Sequence, residues 1–463
     1  MKIFLIWLYC LLCIFMCSCS FIEEYEYISS NQKNRECTEE KNGNGNKTYV
    51  DKNIVLTIDT YYDYEQISLY AKEFMADNPN VEIVVRSYES ESINDYIKRI
   101  STELMTNRSA DIIDFGYISV FQYAQKGYLC DLYNFMESDE NFDINDYYCN
   151  VFRAKEYNGG LYSIPFYFIY DVVYVSKPLF EKAGLEIPES INYEEMITTH
   201  EMIIEHIDEN ILLMPGATKE SFWDVEFPIY YDISTKKATF DSDSFLKYLE
   251  CTNKINTDIL YDMTRIYGND DFLEENYLFS KSEISALDCF NFIIDYKNAS
   301  DPILFQNSQG QNPFLTLQAD YGISQTCKHK EIAWEFIKYC ISEKSIPNNY
   351  NEEELNIYAK QFNWWIPINI NNFYTLYHAQ CMYDIEYMSD RVTNWKDGTK
   401  ELVIENALKT IHNFSLKRDL AVSEIEIAII LEEDCSSFYY HNTISAKKCA
   451  ELIQRKMEIF LSE

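Results

Sequence analysis

Hydrophobic and polar positions alternate along this chain with two different periods. Ile54-Val-Leu-Thr-Ile58 is a short β-like run, and Ile67, Tyr70, Ala71, Phe74 and Met75 then recur at helical spacing. Asn78-Pro79-Asn80 stops that helix, because proline has no N–H to donate and pushes the residue before it out of the helical region. Val81 to Val85 reads as a second strand. Ile93, Tyr96, Ile97, Ile100 and Leu104 mark a second amphipathic helix, and Asp111-Ile-Ile-Asp114 a third short strand. Strand–helix alternation of this kind predicts a mostly parallel sheet covered on both faces.

The pattern predicts helix in pieces around Gly127 over Phe121–Met136, another helix over Asp143–Tyr157, and a turn at Asn158-Gly159-Gly160. There follows LYSIPFYFIYDVVYVSKPLFEKAGL, Leu161–Leu185. Its apolar part, Ile164–Val175, runs for about 12 residues, longer than the usual strand of about 5–6. It is either one strand crossing between two lobes or an ordinary buried strand with a flank. Pro178 suits the first turn of a following helix, and Gly184 its end. Asn192 with Glu195 three residues on matches a capping box. A strand end near Ala238 leads to a helix around Phe245–Thr252, and Ile284–Ile294 reads as a strand and following helix. Asp301-Pro302 opens a loop-rich passage to Asp320, and Tyr321–Ser324 is a short strand. Lys328–Ser342 is a helix with Ala333, Phe336, Ile337 and Cys340 on one face, and the chain ends in a helix over Ser445–Leu461.

Charge narrows the partners. Lys and Arg number 39 against 75 Asp and Glu, a net of −36, which repels nucleic acid and anionic membranes. Residues 3–16 form an apolar run behind Lys2, right for a signal-peptide core and short of the roughly 20 residues a spanning helix needs. Met16-Cys17-Ser18-Cys19 resembles a bacterial lipobox, with a small residue before Cys19 where bulky Met16 precedes Cys17. That implies cleavage after residue 18 and a lipid on Cys19; plain secretion and an uncleaved anchor are the alternatives. Residues 19–51 are polar and read as a flexible tether. Ten of the 14 cysteines lie beyond Cys19, scattered without a CxxC pair, so a zinc site is not expected and buried thiols acting as small hydrophobes are.

Several runs in order carry a resemblance. AKEFMADNPNVEI (71–83), Leu104-Met-Thr with Ala110-Asp-Ile-Ile-Asp114, GYLCDL (127–132), YNGGLYSIP (157–165), VYVSKPLFEKAGL (173–185) and Gly322-Ile-Ser with KEIAWEFI (330–337) are together similar to the bacterial extracellular solute-binding proteins of ABC importers, in the family that includes maltose-binding protein. The resemblance implies an α/β fold of the periplasmic-binding-protein type II class, two lobes closing on ligand about a hinge crossed more than once. It places the first lobe over 52–165 and 284–320, and the second over 166–283 and 321–463. Pro165–Tyr170, Asp320–Ser324 and the stretch near Ile284 would be the crossings. The implied partners are a small carbohydrate and permease subunits, with no cofactor, and the implied state is a monomer on the outer face of the membrane.

Ligands of open α/β sheets bind beyond the carboxyl ends of strands. That rule nominates Tyr61, Tyr62 and Asp63 after the first strand and Asp114, Phe115 and Tyr117 after the third. The hinge adds Tyr167 and Tyr170, and the second lobe Trp223, Trp364 and Trp365. Aromatic rings suit the C–H face of a pyranose and carboxylates its hydroxyl rim. Each has a plainer reading: Tyr61 and Tyr62 as strand caps, Asp63 as a helix N-cap, Asp114 as a turn brace and Trp223 as core. No GxSxG, HExxH or phosphate loop is present, and the six histidines show no ligand spacing; His200 and His206 are expected in solvent. A binding protein is the expectation, a surface glycan-degrading enzyme or a sensing or adhesion lipoprotein the alternatives.

Overall fold

The computed structural model describes residues 54–62, 66–207, 210–255, 277–284, 300–314, 316–346, 365–388, 400–418 and 425–462. The leader, the tether and Cys19 lie outside them.

The first lobe grows from the expected strand–helix units. β1 (Ile54–Thr60) pairs in parallel with β2 (Val81–Ser87) on one side and β3 (Ile112–Asp114) on the other. The connecting helices, α1 (Gln66–Asp77) and α2 (Ile93–Met105), bury Ile67, Tyr70, Ala71 and Phe74, and Tyr96, Ile100 and Leu104. Ser92 caps α2 by accepting the Asp95 N–H, one of the donors a helix start leaves over.

The long apolar run proves to be two strands. β4 (Ile164–Ile169) and β5 (Asp171–Val175) lie in different sheets, and Tyr170 alone separates them. All eleven strand residues are buried, so neither strand shows polar alternation and the boundary is invisible in the pattern. α3 (Lys177–Ala183) starts with Pro178 in its first turn and ends at Gly184, whose φ of 68° is the left-handed conformation a helix end favours.

β6 (Ser190–Ile191) precedes α4 (Tyr193–His206), where Asn192 and Glu195 form the full capping box at 3.0 and 2.9 Å. Asn192→Ala is expected to cost about 1 kcal/mol, read as a lowered urea midpoint at unchanged slope. His200 on this helix is half-buried and donates to the Ile211 carbonyl at 2.8 Å, so the expectation of solvent fails; burial pushes its pKa down. α5 (Asp243–Thr252) follows, then β7 (Phe279–Glu283), β8 (Ile303–Phe305), β9 (Thr316–Ile323), α6 (Lys330–Ile341), β10 (Ile366–Pro367), α7 (Ile370–Met388), α8 (Lys400–Leu416), α9 (Ile425–Tyr439) and α10 (Ala446–Ser462).

The first sheet runs β10-β4-β9-β3-β1-β2 and the second β7-β5-β8-β6. The expected mostly parallel pairing holds only for β1 with β2 and β3 and for β8 with β6. The other ladders of these two sheets are antiparallel, because later strands such as β9 return from the other lobe. The main cores lie one against each sheet, with β5 sending Val172 and Tyr174 into the first and Val173 and Val175 into the second. A smaller cluster of Tyr96, Ile100 and Ile113 fills the other face of the first sheet. α6, α7 and α8 contribute Phe336, Ile337, Tyr377, Ile404 and Ile411 to the first. α9 and α10 contribute Ile427, Leu431, Cys435, Ile453 and Met457 to the second. Six of the eight cysteines described are buried, as small hydrophobes should be.

These placements correct the expected lobe boundaries. The first lobe extends through Ile169, so Tyr167 belongs to its sheet. β8 lies in the second lobe, pairing with β5 and β6, and the return to the first lobe comes only after it. Among the described residues after Tyr321, α6, α7 and α8 pack in the first lobe and α9 and α10 in the second. Among the described residues the chain passes between the lobes at Tyr170 and from Phe305 to Phe314, and Leu416–Arg418 lead out of the first lobe ahead of α9. Asp320–Ser324 lies within the first sheet and beside it, whereas Ile284 donates to the Tyr170 carbonyl at 2.8 Å and packs into the first core, and the residues that follow it lie outside the described ones. Asp143–Tyr157 holds just one short helix, Cys149–Ala154, after a single 3-10 turn. Amphipathic periodicity shows that a helix has a buried face, and leaves open which lobe it covers.

Candidate functional site

β1 lies between β2 and β3 in the sheet, so the chain leaves β1 to one side and returns on the other. This is the switch point where crevices form in such sheets. A narrow cavity of about 30 Å3 opens there, room for a water or two and well below the range of about 300–1,000 Å3 typical of a closed small-molecule site, so it is one wall of a site and not a whole one. Its walls come from the end of β1 (Tyr62), the start of α1 (Gln66, Ile67, Tyr70) and the end of β3 (Asp114, Gly116, Tyr117). β4 adds Phe166, β9 adds Ala319 and Tyr321, and Trp365 comes from just before β10.

Asp114 is the one charged side chain among these wall residues. Its Oδ2 accepts from the Thr60 hydroxyl at 2.9 Å and the Tyr61 N–H at 3.4 Å, and its Oδ1 from the Gly116 N–H at 2.9 Å. The Tyr321 hydroxyl donates to Thr60 at 3.3 Å, and the one Thr60 hydroxyl hydrogen is shared between Asp114 Oδ2 and the Tyr62 carbonyl at 2.8 Å. Burial pushes the Asp114 pKa up to about 6, with the hydrogen bonds opposing and the charge of Asp320 reinforcing the rise. A carboxylate held this way takes a hydroxyl donor readily.

Aromatic faces make up most of the rest. Tyr62 and Tyr117 stand 6.3 Å apart between ring centroids, each packed edge-on against Tyr61 at 4.6 and 5.1 Å. Behind α1, the hydroxyls of Tyr70 and Tyr167 meet at 2.9 Å, and the Gln66 amide donates to both. Trp365 lies over Tyr167 with centroids 6.2 Å apart. Ala319 has a φ of 51° inside β9, a strained conformation for a residue with a β-carbon and one that gathers at functional sites. Gly322, three residues on, is required by crowding: a β-carbon there would come within 2.5 Å of the Tyr162 carbonyl.

Tyr62, Asp114, Tyr117 and Trp365 of the expected residues are thus brought together. Trp365 sits in the first lobe and not the second, because the strand it precedes pairs with β4. Tyr61 and Phe115 lie behind the wall, 5% and 3% exposed, with the Tyr61 hydroxyl donating to the Glu91 carbonyl at 3.0 Å. Tyr167 backs Trp365 from the core. Tyr170 is fully buried at the hinge, its hydroxyl donating to the Ile411 carbonyl at 2.9 Å, which takes it out of reach of a ligand. Trp223 stacks on Phe227 at 5.2 Å at the edge of the second core and lines no part of the cavity. Asp63 and Trp364 lie outside the described residues.

Gln66, Tyr70, Phe166, Ala319 and Tyr321 were not anticipated. Gln66 and Tyr70, four apart, share the face of α1 turned to the sheet, which its periodicity could have shown. Strand residues Phe166, Ala319 and Tyr321 carry no such signal, because the order of β4, β9 and β3 is not written in any local pattern. Among the described residues no cluster of three His, Cys, Asp or Glu could hold a metal, and no helix is long and apolar enough to cross a membrane.

Comparison with known proteins places this architecture. A family model described as bacterial extracellular solute-binding protein matches residues 60–346. No curated protein matches the chain. Among solved structures, the sugar-binding protein MalE of Xanthomonas citri aligns at a TM-score of 0.58 and 13% identity, over 88% of this chain and 97% of that one. An ABC substrate-binding protein of Listeria monocytogenes in complex with cycloalternan aligns at 0.54 and 18%, over 88% and 99%. A cyclic alpha-maltosyl-1,6-maltose binding protein of Arthrobacter globiformis aligns at 0.52 and 12%, over 88% and 98%. At such identities the likeness establishes the two-lobe fold.

Proposed function

The chain belongs to the bacterial extracellular solute-binding proteins, and from that premise we propose that it is a lipid-anchored receptor that captures a carbohydrate outside the cell and delivers it to an ABC permease. The observation that carries the ligand class is the make-up of the first-lobe cavity. Aromatic walls of Tyr62, Tyr70, Tyr117, Phe166 and Trp365 surround one buried carboxylate, Asp114. Stacking faces with one hydroxyl-seeking carboxylate match a neutral polyol with an apolar face. A wall with Asp114 as its one charge disfavours a free phosphate or sulfate. The sugar-binding proteins of similar fold support the same class.

Binding without turnover is the activity proposed. Ligand held between lobes favours the closed state by the contacts it makes with both. Cys19 carries the lipid, residues 19–51 form the tether, and the receptor works as a monomer on the outer face of the membrane.

A thermal-shift screen of the chain lacking residues 1–18, against mono- and oligosaccharides, tests the ligand class. A sugar at 100 times its dissociation constant is expected to add about 2.7 kcal/mol and raise the melting temperature. Silence across sugars with a response to peptides or polyamines would overturn the carbohydrate reading and leave the fold intact. Release of shortened products from a polymer would favour a glycan-degrading enzyme.

A further inference from the structure

The largest fully buried side chain described belongs to Arg418, at the point where the third crossing leaves the first lobe. Its guanidinium carbon lies 4.1 Å from the ring centroid of Tyr170, the residue that makes the first crossing. Its Nη1 donates to the carbonyl of Pro313, on the second crossing, at 3.4 Å, and its Nε to the Phe414 carbonyl at 3.3 Å. Asn150, on a helix of the first lobe, holds the same corner by donating to the carbonyls of Ser415 and Arg418, both at 2.8 Å. Tyr170 is fixed in its turn by the Ile411 carbonyl and by the Ser415 hydroxyl at 3.3 Å.

We infer that Arg418 is the hinge pin: one buried side chain that ties the three described interlobe crossings together and so fixes the axis about which the lobes turn. Three separate connections between rigid bodies move as one hinge only if their spacing is held. A planar guanidinium suits this task. It stacks on an aromatic ring through its face while its edge donates to carbonyls, and lysine offers neither the face nor the fork. Burying a charge there is costly, which argues for a role beyond filling space. The inference rests on the two-lobe fold and is independent of the ligand, so its failure would leave the carbohydrate reading standing.

Pulsed EPR distances test it without ligand. Spin labels on a non-canonical amino acid at Met105 and Ile459, 52% and 53% exposed and in different lobes, report the interlobe distance. Labels at Met105 and Leu402, the latter 49% exposed and in the same lobe, are the control. Arg418→Met is expected to widen the interlobe distribution at least twofold and leave the control unchanged. An Arg418→Met protein that folds and whose interlobe distribution superimposes on that of the parent would overturn the proposal. Should Arg418→Met not fold, Tyr170→Leu, which removes the ring under the guanidinium, decides by the same two distributions.

Discussion

An Asp114→Ala protein is expected to bind carbohydrate about 100-fold more weakly and to unfold with about 2–4 kcal/mol less free energy. Three donors converge on that carboxylate, from Thr60, Tyr61 and Gly116. Removing the acceptor strands buried donors at about 1–3 kcal/mol each, partly relieved where water enters the cavity. The binding loss follows from the hydrogen bond a hydroxyl makes to a charged acceptor, worth about 1.5–3 kcal/mol. Urea denaturation and titration calorimetry with the sugar found by screening measure the two effects. Undiminished affinity would remove Asp114 from the site. pH supplies a separate check. Burial raises the folded pKa to about 6, above an unfolded value of about 3.9. The folded state therefore holds the proton more tightly, and the stabilisation this gives is full below about pH 4 and lost as pH rises through 6. The parent should lose more stability than Asp114→Asn across that window. Binding should move the opposite way, strengthening as the carboxylate ionises.

Lys155→Met is the second large effect, at about 3–5 kcal/mol of lost stability. Lys155 Nζ lies 2.8 Å from Asp320 Oδ2, with the two side chains 10% and 2% exposed. The pair pins the central strand β9 beside the cavity. Without its cation, Asp320 becomes an uncompensated buried charge. Adding Asp320→Leu to Lys155→Met should recover most of the loss, because exchanging a whole buried pair for apolar side chains is often near neutral. A double variant as unstable as the single one would show that the loss came from packing of the lysine stem.

The sequence carried the local elements well and their assembly less well. β1, α1, β2, α2 and β3 followed from periodicity alone, and the Asn192 capping box and the Gly184 stop from residue chemistry. The placement of α6 to α8 did not, because a helix stripe records that it is buried and not against which sheet. Of the cavity wall, residues just beyond strand ends were legible by rule: Tyr62, Asp114 and Tyr117. Phe166, Ala319 and Tyr321 reach the cavity from the bodies of β4 and β9, through a strand order created only when distant segments pair. Tyr170 misled for a physical reason, since an aromatic at a hinge serves equally to face ligand or to hold the crossing, and here Arg418 and Ile411 claim it.

The position of β9 in the first sheet bears on how the chain is made. β9 fills the gap between β3 and β4, yet it follows β3 by about 200 residues of sequence. At ribosomal rates of about 5–20 residues per second, the open edge of β3 waits roughly 10–40 s for its neighbour. Through that interval the nascent first lobe cannot close, and a ready template for strand pairing stays exposed. A first sheet that cannot be finished early keeps the chain open while it is made, which suits the export that the proposed receptor would require.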